Sequence, residues 1–164
     1  MTFLSIMRWV HVLSMVVVLG GYIFLSVFWW PILKRATQDV RLQVHIVAQT
    51  LRRFFTTVVL ALTVQLLTGG LYLLTPAYQA FGAGQEAALA LFHKLLLMKL
   101  AAVFLVLLLV PMQLFGMAFR LTRMDAGIHP LDEAIFFRIS QRMQVVSYTI
   151  IVLLTFIVIV STYL

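Results

Sequence analysis

The stretch Trp9–Leu33, WVHVLSMVVVLGGYIFLSVFWWPIL, holds 25 residues without an acid, a lysine or an arginine. A hydrocarbon core about 30 Å thick is crossed by about 20 apolar residues in helical form. Inside lipid no water bonds the backbone, so such a segment must satisfy its own amides as a helix. Three further stretches repeat the pattern: Phe54–Gln85, Leu100–Phe119 and Met143–Leu164. None shows strand alternation. The first is too long for a signal-peptide core and lacks an A-x-A cleavage site, so it is expected to stay as a span.

Composition agrees. The 164 residues are 63% hydrophobic and 10% charged, with a mean hydropathy of +1.09. Soluble domains carry roughly 45–50% apolar and about 25% charged residues. The fold expected is therefore an all-α four-transmembrane-helix bundle in a single membrane domain, with spans at about 3–30, 54–75, 87–119 and 143–163. Basic connections would cover 31–53 and 120–142. The chain has no cysteine, which excludes disulfides, thiolate metal sites, iron–sulfur clusters and thiol redox chemistry.

The basic residues orient the bundle. Lys34, Arg35, Arg41, Arg52 and Arg53 fall between spans one and two, and Arg120, Arg123, Arg138 and Arg142 between spans three and four. The loop around TPAYQAFGAGQEAA, between spans two and three, has no lysine or arginine before Lys94. Positively charged loops stay inside, so both termini face outward (N-out/C-out) in a bacterial-type inner (plasma) membrane. The net charge of +7 is then a topology signal, and no nucleic-acid partner is needed to explain it. TQDVRLQVHIVAQTLRRFF mixes apolar and basic positions and should run as a surface helix into span two. Pro130 stands where a helix could start, with Asp132 and Glu133 behind it to complement the dipole. The pairs Gly20–Gly21 and Gly69–Gly70 would let helices approach closely, and Pro111 should kink span three.

Two titratable rings interrupt the spans. From an entry near Phe3, His11 lies roughly 12 Å deep, and from an entry near Ala87, His93 lies roughly 9 Å deep, at 1.5 Å of rise per residue. Spans one and three run in the same direction, so the two histidines share a level in the outer half. His45 and His129 belong to the inner connections. Taken singly, each intramembrane histidine also reads as a hydrogen-bond partner between helices. Taken together, two imidazoles at one depth suit haem iron, copper or another borderline metal.

Arg8 precedes His11 by three residues and shares its helix face; Lys94 adjoins His93, and Lys99 lies deeper. Every acid lies outside the four stretches. A buried cation costs about 2.5–3.5 kcal/mol on insertion scales, so Lys99 calls for an anionic partner. The propionates of haem would provide one, whereas a copper ion would be repelled; snorkelling of both lysines to the outer interface is the alternative. Met7, His11 and Met15 are spaced four apart on one face, and Met98 lies on span three; thioether and imidazole ligands suit Cu(I), although methionine also fills irregular packing.

These residues carry a family resemblance. WVHVLSMVVVLGG, LRRFFTTVVLALTVQLLTGGLYL and LLLMKLAAVFLVLLL resemble the first three helices of the copper-resistance protein D (CopD) domain. FFRISQRMQVVSYTIIVLL is similar to the last helix of the related HemJ-type membrane protoporphyrinogen oxidases. The likeness covers nearly the whole chain. It implies that His11 matches the first-helix histidine, a haem-ligand candidate, and that Lys99 matches the third-helix lysine. His93 departs from the pattern, standing six residues before that lysine, which bears more on oxidase activity than on haem binding.

Three functions are expected from this reading. The first is a b-type haem protein ligated by His11 and His93, with Arg8, Lys94 and Lys99 around the cofactor. It would transfer electrons or, as a membrane oxidoreductase, act on a porphyrin- or quinone-like substrate or with a redox-protein partner. The second is copper transport or resistance, with His11, Met7, Met15 and Met98 as ligands. The third is a cofactor-free membrane subunit whose histidines only pack.

Overall fold

A computed structural model describes residues 3–74 and 86–163, and all its regular elements are helical. In chain order they are α1 (Phe3–Ile23), a π-helical stretch (Phe24–Trp29), α2 (Trp30–Ala36), α3 (Val40–Leu73), α4 (Glu86–Pro111), a second π-helical stretch (Met112–Ala118), α5 (Phe119–Asp125) and α6 (Glu133–Ser161). They join into four helices long and apolar enough to cross a membrane: Phe3–Ala36, Val40–Leu71, Leu91–Asp125 and Glu133–Ser161. Going round the bundle the spans follow chain order, so spans one and three are diagonal, as are two and four. Both ends of the described chain lie at one end of the bundle, here the terminal end; the arginine-rich end is the basic end.

The helices overrun the expected boundaries. Connections expected over 31–53 and 120–142 shrink to 37–39 and 126–132, and the rest is helix. The cause is packing beyond the charge-free stretches. Val44, Val47, Leu51, Leu121, Met124, Phe136 and Ile139 recur at helical spacing and close a core at the basic end, while Arg41, Arg52, Arg53 and Arg138 point outward. The uncharged loop used to orient the chain, 75–85, lies outside the described residues.

Local chemistry sets the ends. Asp39 accepts hydrogen bonds from the amides of Arg41 and Leu42 and so caps α3. The last helix starts at Glu133, not at Pro130, because Asp132 caps it by accepting from the Ile135 amide at 3.1 Å. After α5 the chain turns through Gly127 at φ 71°, with Ile128 donating back to the Arg123 carbonyl, a closure that favours a residue without Cβ.

Pro31 removes one amide and crowds the preceding turn, and the first π-helical stretch lies just before it. Pro111 ends α4 without breaking the span, which continues directly as the second π-helical stretch. One glycine of each pair makes a close approach. A Cβ on Gly21 would stand 3.1 Å from the Phe54 ring, and one on Gly69 would stand 3.2 Å from His11 Cε1. A second core, with Val18, Val58, Ala61, Ala102, Val106, Ile150 and Leu154, fills the bundle from its middle toward the terminal end. Spans two and three meet chiefly at the basic end, through α5 and the second π-helical stretch.

Candidate functional site

The inward face of α1 is read off its buried residues, Met7, Ser14, Met15, Val18 and Tyr22. His11 is half-buried beside this stripe and turns its ring to α3, where Nδ1 lies 2.9 Å from Thr68 Oγ1. Thr68 Oγ1 is also 2.7 Å from the Val64 carbonyl and 3.2 Å from that of Gln65. A hydroxyl has one proton and a carbonyl can only accept, so the threonine proton goes to its own helix. The imidazole then donates from Nδ1, which leaves Nε2 as a bare lone pair; the tautomer is assigned from this network. Metal-binding histidines are commonly held this way, by a hydrogen bond from the ring nitrogen that does not ligate. Gly69 gives the ring its room.

Polar groups of other spans lie in this half of the bundle. Lys99 is half-buried on α4. No acid pairs with it among the described residues, where His45–Asp125 is the single ion pair. Gln65 donates from Nε2 to the Met15 sulfur at 3.0 Å, while its Oε1 is buried without a protein partner. The His11 ring and the Gln65 amide are thus both tied to the seam between α1 and α3, and Lys99 stands one turn before Ala102 on the inward stripe of α4.

The other expected residues separate into two groups. Met7 and Met15 are buried on either side of His11 in sequence, both at 8% exposure. Arg8, Lys94 and Met98 are exposed. His93 is exposed as well, its ring in an edge contact with Phe92. The inward stripe of α4 runs through Lys99, Ala102, Val106 and Val110. Six residues of α-helix turn about 240° beyond one full revolution, so His93 stands well off that stripe. The structure places Lys99 on the inward stripe of α4 and His93 on another face of that helix.

Three polar constellations went unread in the sequence. Gln113 is fully buried in the second π-helical stretch. Its Oε1 accepts from Tyr22 Oη at 3.1 Å, and its Nε2 lies 2.9 Å from the Met143 carbonyl and 2.7 Å from Ser147 Oγ. The available signal was an amide between Pro111 and Gly116 in an otherwise apolar run. Nearer the basic end, Ser26 Oγ, Trp30 Nε1 and Ser140 Oγ are buried without protein partners. At the basic surface, Gln49 Nε2 donates to His45 Nε2 at 2.9 Å, so His45 Nδ1 donates to Asp125 at 2.9 Å and ties α3 to α5. This pair borders an open cavity of about 650 Å³ that also holds Asp39, Arg41 and His129.

Among the described residues no three histidines, aspartates or glutamates converge as a metal cluster. Comparison with family models, curated proteins and solved structures finds no match.

Proposed function

We propose that this chain is a membrane redox protein that holds one b-type haem through His11 at the terminal end of the bundle. The observation that supports it is the His11 imidazole, fixed by Thr68 with Nε2 bare, in a bundle whose third span carries on its inward face Lys99, a cation that no described acid neutralises. The donor set fits the group. Nε2 is the haem-ligating kind of nitrogen, and Lys99 offers an ammonium to a carboxylate. When bound, haem supplies one-electron chemistry. The chain's own part is to hold the ring in one tautomer, match the carboxylate charge and exclude water through the apolar layer of Ala61, Ala102 and Leu154. Electron transfer to or from a quinone- or porphyrin-like molecule of the plasma membrane follows as its task, with both termini outward. The resemblance of the helix segments to CopD and HemJ-type proteins points the same way.

A Soret band in protein purified from haem-supplemented cells tests the proposal. His11→Ala should abolish the band, and His45→Ala should leave it. His93→Ala should also leave it, because His93 stands off the stripe that carries Lys99; conversion of a low-spin spectrum in that variant would make His93 the second axial ligand. A second reading, Cu(I) bound by Met7, His11 and Met15, is favoured by the burial of both thioethers. Protein that takes up Cu(I) but no haem would replace the first reading with the second.

A further inference from the structure

Between α3 and the second π-helical stretch a groove of about 610 Å³ opens on the outside of the bundle. Its walls are Phe55, Val59, Leu60, Leu114, Phe115 and Phe119. Leu60, Phe115 and Phe119 are all more than half exposed, so the groove faces the surroundings of the bundle and not its core. One end of it is not apolar. Arg52 borders the groove from α3, and the Arg123 guanidinium lies over the Phe119 ring, 5.3 Å from its centroid. No acid pairs with either arginine among the described residues.

Depth matches this division. From Arg52 to Leu60 is roughly 12 Å along α3 at 1.5 Å per residue. Counting back the 20 or so residues that span a bilayer from the end of α3 brings the boundary of the hydrocarbon to the neighbourhood of Arg52 and Arg53. The apolar walls therefore lie at acyl-chain depth and the two guanidinia at headgroup depth. We propose that this groove is a binding site for one anionic phospholipid, with an acyl chain along Leu60 and Phe115 and the headgroup phosphate between Arg52 and Arg123. Guanidinium is suited to this role because its planar fork meets phosphate oxygens two at a time.

The test uses the full chain in detergent micelles carrying equal amounts of phosphatidylglycerol and phosphatidylcholine, with retained lipid read by native mass spectrometry. The expected result is one phosphatidylglycerol retained in preference to phosphatidylcholine. R52Q/R123Q should lower that preference about thirtyfold, the equivalent of about 1 kcal/mol for each arginine near an anionic headgroup. Leu60→Trp, which fills the groove from its exposed rim, should lower retention of both lipids with the arginines intact. Arg138→Gln, on the exposed face of α6, should change nothing. Equal retention of the two lipids, or an unchanged preference in R52Q/R123Q, overturns the proposal. An equal loss in Arg138→Gln overturns it in favour of a diffuse basic surface. A dimer mass abolished by Leu60→Trp overturns it in favour of a second copy of this chain in the groove.

Discussion

Two polar layers cross this bundle, and they are completed in opposite ways. At mid-bundle, Tyr22, Gln113, Ser147 and the Met143 carbonyl share their donors and acceptors in a closed set. Toward the terminal end, His11 is anchored by Thr68, but among the described residues its second nitrogen, Lys99 and Gln65 Oε1 have no hydrogen-bond or ion-pair partner. Apolar surroundings penalise both layers in the same way, since an unmatched polar group there costs far more than in water. The closed layer thus reads as a fastening between spans one, three and four. The open layer is the one that the proposed cofactor would complete.

The largest test of that contrast is Lys99→Met. Removing an uncompensated cation from a span should stabilise cofactor-free protein by up to about 2.5–3.5 kcal/mol, seen as a raised midpoint in detergent unfolding. The same substitution should lower cofactor retention. If the variant is no more stable and retains cofactor fully, Lys99 snorkels and the open layer loses its cation.

Gln113→Leu should do the reverse. It orphans the Tyr22 and Ser147 hydroxyls in the core, so stability should fall by about 1–3 kcal/mol while the Soret band, at a separate level, keeps its shape. A band that shifts in this variant would mean that the two layers are coupled. Tyr22→Phe is the mildest probe. It deletes one bond to Gln113, and interhelical hydrogen bonds in membrane bundles average about 0.6 kcal/mol, so unfolding should move by only that amount.

The four spans were legible because the charges that bound them stand out in lipid-like sequence. Which residues meet across the bundle was not. The α4 segment LLLMKLAAVFLVLLLVP is apolar on every side, so no amphipathic stripe tells which face looks inward. Depth alone made His93 the partner of His11 and put Lys99 deeper, whereas the packing of Ala102, Val106 and Val110 puts Lys99, and not His93, on the inward stripe. Gln113 escaped for a related reason: an uncharged amide leaves no mark on hydropathy, and its three partners are 30 or more residues away, at Tyr22, Met143 and Ser147. At the basic end TQDVRLQVHIVAQTLRRFF already read as a surface helix into span two. That these helices pack into the bundle as continuations of the spans was not legible, because only the fold shows that the apolar positions between the arginines find partners.

The connection at 37–39 also orders events in time. With three residues between α2 and α3, spans one and two can only lie side by side as a hairpin. They can pair while the remainder of the chain is still being synthesised, because domains and their local contacts assemble from the N-terminal side. His11 and Thr68 both belong to this hairpin, so the imidazole can be locked in its tautomer before Lys99 has left the ribosome. A chain stopped after span two should therefore already hold the His11–Thr68 contact, and the third and fourth spans would close around it.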